Sequence, residues 1–274
     1  MSDASKSLLG KVTDYSQAYS PALLFPLDRQ LNRQNLPLGE SLPFHGEDIW
    51  TGYELSWLNP KGKPLVAIAD FHFPANSVCM IESKSFKLYL NGFNHAQFAD
   101  PATVKNILEK DLSEAAGAKV EVHLRPVSEV AHGLSDSEAW FCLDDLDVAC
   151  HDYQPNAGLL RCHDETVTEA LCSHLLRSNC PVTGQPDWAS VYIRYSGPRI
   201  DAESLLQYLV SFRQCQDFHE HCVERIFTDL MASCACQSLS VYARYTRRGG
   251  LDINPYRASF DLPGAAPQLR TPRQ

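Results

Sequence analysis

The chain has no apolar run long enough to cross a bilayer, and its polar first residues, Met1 to Lys6, lack the apolar core of a signal peptide. Its formal net charge of -9 at pH 7 gives it little capacity for non-specific binding of nucleic acid. We therefore expect a cytoplasmic protein with no membrane partner and no direct nucleic-acid partner.

Two glycine-rich nucleotide motifs are also missing. No G-x-G-x-x-G follows a predicted strand, and no G-x-x-x-x-G-K-[ST] occurs. A Rossmann-type or P-loop nucleotide site is therefore not supported.

Paired metal-ligand motifs are missing as well, although the chain has 10 cysteines. Cys234 and Cys236 are closer than the C-x2-4-C spacing of zinc sites, and Val223 stands where H-E-x-x-H needs its second histidine. Ligand-type residues without a paired motif are Cys162, His163, Cys172 and His174. Since a chain of this size folds without disulfides, we expect reduced, mostly buried cysteines and no metal.

The first half of the chain reads strand, strand, helix, helix, strand, after an extended lead-in over residues 1–45. Strands are predicted at 48–57 and 65–73, joined by a turn at 59–62, and again at 120–124. The second helix has Asp100 as N-cap, Pro101 in its first turn and Gly117 as C-cap.

The second half reads helix, strand, helix, helix, strand. Helices are predicted at 165–178, from Asp201 to about 213, and from the N-cap Asp217 onward. Strands are predicted at 188–195 and 239–246, with a turn at 196–198. Residues 126–162 form the connection, with a strand near 146–153, and the tail from Pro263 is expected to be loose.

Because both halves contain the order strand, helix, helix, strand, we predict an α+β fold of two related modules. Each module is an antiparallel sheet with a helix pair on one face. The N-terminal module is assigned to residues 1–140 and the C-terminal module to residues 141–274.

The stretch 80–94 reads as an amphipathic helix entered from a strand. Its apolar face is formed by Phe86, Tyr89, Leu90 and Phe93 at i, i+3, i+4 and i+7. The residues Glu82-Ser83-Lys84-Ser85 stand at the start of this helix, where backbone N–H groups favour anions.

Cys180 is the strongest candidate for a nucleophile, in a loop that follows a predicted helix. A thiolate attacks electrophiles once its pKa is lowered, and the Asp187 carboxyl could exchange protons with whatever it attacks. From the residues alone, an inert buried cysteine is the favoured interpretation.

Glu220 has two interpretations. With Asp217 it resembles a capping box, which the residues alone favour. The functional alternative is a carboxylate that accepts the adjacent N–H donors of a guanine-like edge, with Glu82 as a second acceptor. His219 could move protons near neutral pH.

A third segment, residues 244–255, places Arg247 and Arg248 beside Gly249 and Gly250 at a strand end. Arginine pairs well with phosphate and glycine allows close backbone approach. Alone, this pattern is weak, and a solvated loop is the favoured interpretation.

Together these segments resemble the QueF family, the NADPH-dependent 7-cyano-7-deazaguanine (preQ0) reductases of the tunnelling fold (T-fold). The likeness covers nearly the whole chain, in the long, two-module form of the family. It includes residues 42–46, 53–59, 80–94, the Cys180 loop and residues 242–255. No catalytic residue of the family pattern is missing.

The resemblance implies two tandem T-fold modules and a reaction in which two NADPH reduce the preQ0 nitrile to the aminomethyl group of preQ1, in queuosine synthesis. Cys180 would form a thioimidate, Asp187 would supply a proton, and His219 would lie beside the reacting carbon. Implied substrate-binding residues are Glu82, Ser83, Lys84, His219 and Glu220. Implied residues for the NADPH phosphates are Lys84, Ser85, Arg248 and Gly249.

Tunnelling-fold proteins place their sites between modules, so the resemblance also implies a homodimer. Two alternatives stay open. One is a zinc-dependent T-fold hydrolase similar to GTP cyclohydrolase I, in which Cys and His bind zinc. The other is a purine-binding module without catalysis.

Overall fold

The computed structural model describes residues 18–39, 41–128, 140–261, 266, 271, 273 and 274. It divides into two compact units, each with strands and helices. Unit 1 comprises Met1–Gln34, Asp48–His132 and Arg247–Ile253, and unit 2 comprises Asn35–Glu47, Gly133–Thr246 and Asn254–Gln274. Among the described residues, no helix has both the length and the apolar character to cross a membrane.

Unit 1 has an antiparallel sheet and two longer helices. Its elements are β1 (Pro26–Asp28), α1 (Arg29–Arg33), β2 (His45–Leu58), β3 (Pro64–Pro74), β4 (Cys79–Ile81), α2 (Ser83–Asn91), α3 (Pro101–Ala116) and β5 (Glu121–Pro126). The sheet order is β5-β3-β2, and β1 pairs with β4 apart from it. The first three residues of β2 belong to unit 2.

The described part of the lead-in is more structured than predicted, since it contains β1 and α1. Arg29, at the start of α1, is buried and donates to Asp48 over 2.5 Å and to Ser77 over 2.9 Å. A buried guanidinium needs such partners, and they fix the segment against unit 1.

The core of unit 1 forms as the apolar patterns predict. Phe86 of α2 is fully buried and meets Phe71 of β3 edge to face, with ring centroids 5.0 Å apart. Its ring also packs on Trp50 of β2 at 5.1 Å. Burying one such side chain contributes about 1.5–3 kcal/mol, so α2 is held firmly on the sheet.

Unit 2 is also an antiparallel sheet with two longer helices. Its elements are β6 (Phe141–Cys142), β7 (Cys162–Asn179), β8 (Pro186–Ile200), α4 (Ala202–Ser211), α5 (His219–Cys234), β9 (Ser238–Tyr245) and β10 (Leu251–Ala258). The order is β10-β9-β8-β7-β6, with only the β6–β7 pair parallel. The first three residues of β10 belong to unit 1.

The predicted helix at 165–178 is wrong, because this segment is part of strand β7. Val167, Leu171 and Leu175 match a helical period, yet β7 pairs with β8 along nearly its whole length, and Leu175 is exposed. A short apolar pattern does not distinguish the two periods, and here tertiary pairing decides for the strand. With β7 as a strand, both units contain the element order strand, strand, helix, helix, strand.

Three smaller predictions are also wrong. Residues 146–153 form no strand, and residues 196–198 lie inside β8 instead of in a turn. Gly197 keeps β8 continuous at a φ of 151°, where an added Cβ would lie 3.1 Å from the Cα of Cys236. The tail is not loose where it is described: Thr271 and Gln274 are buried.

Candidate active site

Cys180 lies in a hairpin loop, not after a helix. The loop joins β7 to β8, and the Cys180 backbone N–H donates to the Gln185 carbonyl over 2.8 Å. The Cys180 carbonyl accepts from Gly184 over 2.9 Å, and Gly184 has the positive φ of 68° that a tight loop needs. Cys180 is 7% exposed, so the loop holds its thiol in a nearly closed site.

The base of this loop is attached to the segment that leads into α5. Asn179 donates its backbone N–H to the Cys215 carbonyl over 2.8 Å and accepts from the Asp217 N–H over 3.1 Å. The Asn179 side chain donates to the Arg213 carbonyl over 3.2 Å. These bonds fix the distance between the loop and the first turn of α5.

Asp187 and His219 meet in unit 2. Asp187 lies on β8 opposite Ser178 and is 4% exposed, and its Oδ2 lies 3.3 Å from His219 Nε2. His219 is the first residue of α5, and its buried Nδ1 has no hydrogen-bond partner among the residues that the structure describes. The carboxylate and the imidazole are therefore close enough to share a proton.

Tyr245, at the end of β9, was not predicted as a site residue. Its ring stacks on His219 with centroids 3.7 Å apart and planes 2° apart. Burial raises the pKa of the Tyr245 phenol, and the Asp187 carboxylate adds to this effect, so the ring stays neutral. Alternation in β9 predicted its burial but not its partner.

The start of α5 is not built as a capping box. The N-cap is Phe218, without a side-chain cap, whereas Asp217 was predicted to cap. The Asp217 carboxylate instead accepts from the Phe218 N–H and bonds the His221 ring through Nδ1. Glu220 is 3% exposed within the first turn. The prediction that Asp217 is the N-cap of α5 is therefore wrong.

Three other thiols of unit 2 are poor nucleophiles, whereas a hydrogen bond with Cys222 lowers the pKa of Cys215. A hydrogen bond with Cys215, then burial, raises the pKa of Cys222. Burial raises the pKa of Cys234, and it raises that of Cys236 to about 11. These thiols stay protonated near neutral pH, which leaves them unreactive.

In unit 1, Glu82 is the N-cap of α2 and is 1% exposed. Its carboxylate accepts from the Lys84 N–H over 2.7 Å and the Ser85 N–H over 2.8 Å. The Ser85 hydroxyl is buried, donates to the Glu82 carbonyl and accepts from the Phe25 N–H. Ser83 and Lys84 are half-buried on the same turn.

The predicted phosphate segment forms a tight turn in unit 1. Arg248 and Leu251 exchange backbone hydrogen bonds of 2.8 and 3.3 Å around Gly249 and Gly250. These glycines have φ values of 59° and 77°, which favour glycine at both positions. The turn brings the half-buried Arg248 next to a backbone that a phosphate can approach.

Lys87 lies beside this turn and was not predicted. A Cβ on Gly249 would lie 3.5 Å from Lys87 Cδ and 3.8 Å from its Nζ. Lys87 follows Lys84 by three residues on α2, so both amines point to one side of the helix. That spacing was the signal in the sequence that could have found it.

Two family models match the chain. Residues 15–124 match "Nitrile reductase, 7-cyano-7-deazaguanine-reductase N-term", and residues 186–262 match "QueF-like protein". An NADPH-dependent 7-cyano-7-deazaguanine reductase of Azoarcus sp. (strain BH72) is 54% identical over 93% of this chain and 92% of its own length. One of Chromohalobacter salexigens is 53% identical over the whole of both chains.

The chain belongs to the QueF family.

A solved QueF-like structure, an archaeosine synthase in its apo form, is 17% identical and covers 36% of this chain and 96% of its own. Its TM-score of 0.32 supports no conclusion about fold.

The two QueF models match segments on either side of the Cys180 loop. Asp187, His219 and Glu220 lie within the second segment, and Glu82 to Lys87 lie within the first. Cys180 precedes the second segment by six residues, so its role depends on the loop geometry and on the relatives matched over their full length.

Proposed function

We propose that this chain reduces the nitrile of 7-cyano-7-deazaguanine to an aminomethyl group with NADPH. The relatives that match it over nearly their full length are named NADPH-dependent 7-cyano-7-deazaguanine reductases. The observation that carries the mechanism is the buried Cys180 thiol in a loop whose closing strand, β8, carries Asp187, which lies 3.3 Å from His219 of α5.

Cys180 is the nucleophile in this proposal. Its thiolate adds to the nitrile carbon, and the nitrile nitrogen takes up a proton, which gives a covalent thioimidate. A nitrile is a poor hydride acceptor, and the protonated thioimidate is a better one. Bound NADPH would supply hydride to this carbon in two rounds, with Cys180 leaving as thiolate between them, so two NADPH and two protons would complete the reduction.

Asp187 and His219 provide the protons. Asp187 is buried beside the imidazole, so its proton can pass to the nitrile nitrogen while His219 remains within 3.3 Å to exchange it. The Tyr245 ring, stacked on His219, holds the imidazole plane in one orientation. This arrangement supports proton transfer without a solvent-exposed base.

Glu82 and Glu220 would hold the deazaguanine edge, with Ser83, Lys84 and His219 near it. Both carboxyl groups are nearly fully buried, so hydrogen bonds from a ligand's pair of N–H donors would contribute to the free energy of binding. Glu82 already accepts two backbone N–H groups, and a carboxylate has lone pairs for further donors.

The NADPH phosphates would bind at Gly249 of unit 1, beside the cationic side chains of Lys84, Lys87 and Arg248. The glycine turn fits the phosphates because Gly249 and Gly250 adopt positive φ values and have no Cβ, so a phosphate can approach their backbone closely. Ser85, also predicted here, is buried with its hydroxyl already bonded, so its contribution would be to shape the turn.

We also infer that the chain consists of two tandem T-fold modules, at residues 1–140 and 141–274, and that it forms a homodimer. The shared order of strands and helices in the two units supports the repeat. The role in queuosine synthesis, on a free base and not on RNA, and the cytoplasmic location remain predictions.

Intact-protein mass spectrometry tests the mechanism. Incubation with preQ0 without NADPH should add the mass of one preQ0, and NADPH should then remove the adduct and release preQ1. The adduct should be absent in Cys180→Ala and unchanged in the control Cys150→Ser, a half-buried thiol of the same unit.

The other outcomes separate the alternatives. An undiminished adduct in Cys180→Ala would move the nucleophile elsewhere. Binding of preQ0 without any adduct or NADPH consumption would leave a purine-binding module. Zinc that disappears in Cys180→Ala would favour the hydrolase.

A further inference from the structure

A cluster of two thiols and one imidazole lies at the β6–β7 edge of unit 2. One ligand atom from each of Cys142, Cys172 and His174 lies within 4.8 Å of the others. Cys142 pairs directly with Cys172 across the parallel strands, and His174 follows Cys172 by two residues, on the same side of β7. The predicted mechanism uses none of these three residues.

Hydrogen bonds fix the strand that carries Cys142. The next residue, Leu143, donates its N–H to the Cys172 carbonyl over 2.9 Å. The carboxylate of Asp144 accepts from the Ser173 hydroxyl over 2.7 Å and from the His174 N–H over 2.9 Å. The very short β6 is therefore held in register, with its thiol facing Cys172.

A bulge in β7 orients the imidazole. Between Ser173 and Leu176 the pairing with β8 shifts by one residue, and bulges of this kind redirect side chains. His174 Nδ1 lies 2.8 Å from the hydroxyl of the fully buried Ser190. In metal sites such a bond sets the tautomer and leaves the other ring nitrogen for the ion.

We propose that Cys142, Cys172 and His174 bind a zinc ion. Thiolate and imidazole are the preferred ligands of zinc, and a tetrahedral ion holds them about 3.6–3.8 Å apart, so the cluster needs to close by roughly 1 Å. Both thiols lose their protons on binding, and the two thiolates neutralise the charge of the ion. This proposal replaces our expectation of no metal.

The fourth position is taken by water or an added ligand, because the described residues supply three ligand atoms. Cys172 is buried while Cys142 and His174 are half-buried, which leaves a side from which an ion can enter. An open position makes the site exchangeable, so zinc bound here is removed by chelators faster than from a closed four-ligand site.

Cobalt titration tests the site without reference to activity. The untagged, reduced protein is stripped of metal and titrated with Co2+, and the thiolate-to-cobalt charge-transfer band is recorded. About one Co2+ per chain should produce the band, and Zn2+ should displace it. Cys142→Ser and His174→Gln should each weaken binding more than about 100-fold, and Ser190→Ala about 10- to 100-fold.

Two control variants test whether Co2+ binds at this cluster and not at another cysteine. Cys150→Ser removes a half-buried thiol of the same unit, and Cys180→Ala removes the proposed nucleophile; both should keep the band. Far-ultraviolet circular dichroism checks that each variant is folded.

The proposal is overturned if the folded wild-type protein gives no thiolate band. An unchanged affinity in folded Cys142→Ser would overturn it as well. Loss of the band in Cys180→Ala but not in Cys142→Ser would place the metal at the nucleophile, and a Cys142–Cys172 disulfide that persists under reductant would show that the cluster is a cross-link instead.

Discussion

Units 1 and 2 follow the same order of strands and helices, yet they place different residues at the first hairpin loop. In unit 1, the β2–β3 loop is closed by the Asn59 side chain, which accepts from the N–H groups of Lys61 and Lys63. In unit 2, the β7–β8 loop carries the buried Cys180. One loop is closed by an asparagine side chain and the other holds a buried thiol, so the same topology provides a plain turn in one unit and the proposed nucleophile in the other.

The second helix of each unit shows the same contrast. α3 has a favourable start, with Asp100 as N-cap and Pro101 in its first turn. α5 has no side-chain cap, and its first two residues are His219 and Glu220. The stabilising residues are replaced where the proposed reaction needs an imidazole and a carboxylate, which is typical of functional sites.

The largest expected effect is on the rate of preQ0 reduction, and it distinguishes the β7–β8 loop of unit 2 from the β2–β3 loop of unit 1. Cys180→Ala should lower the rate of preQ0 reduction by at least about 10³-fold, because removing a covalent nucleophile costs at least this much. Lys61→Ala, in the corresponding loop of unit 1, should leave the rate unchanged. Steady-state NADPH oxidation measures both, and equal losses would show that the loops do not differ in function.

The second effect is on preQ0 binding, and it compares two buried glutamates: Glu220, in the first turn of α5, and Glu82, the N-cap of α2. Glu220→Gln should weaken preQ0 binding about 5- to 150-fold, for a loss of about 1–3 kcal/mol, with little change in melting temperature. Glu82→Gln should weaken binding similarly and also lower the melting temperature, because it alters the cap of α2. Calorimetry and thermal melts provide the two readouts; unchanged affinity in both variants would leave only structural roles.

A smaller effect tests the cations of unit 1. Lys87→Ala should raise KM for NADPH about tenfold, for a loss of about 1.4 kcal/mol, and Arg248→Ala should act in the same direction. Formation of the preQ0 adduct should stay intact in both. The control is Lys105→Ala, which removes an exposed amine paired with Glu109 on α3. Loss of the adduct in Arg248→Ala would instead place that residue at the base.

The smallest effect concerns stability alone. Asp100→Ala should lower the free energy of unfolding by about 1 kcal/mol, because the Thr103 N–H loses its acceptor. Asp100→Asn should restore most of this stability, since asparagine caps equally well. Denaturant unfolding measures the difference, and activity at low temperature should not change. A large loss of activity would mean that the start of α3 also serves the site.

Part of the fold was predictable from local patterns. Alternation correctly identified the buried faces of β3, β8 and β9, including Phe71, Ile193 and Val241. Asp100 and Gly117 were correctly predicted as the ends of α3, because capping depends on neighbours in sequence. The identity of β7 was not predictable, because its helical spacing was overruled by pairing with a distant part of the chain.

The family, the segments that carry the candidate residues, both ends of α3 and the start of α4 were predictable from the sequence, because they follow from residue type and short-range spacing. Only the tertiary structure brought His219 to Asp187 and onto Tyr245, Lys87 beside Gly249, and Cys142 opposite Cys172. The residues of each pair are far apart in sequence, and strand register and loop closure, which no local pattern encodes, decide which of them meet.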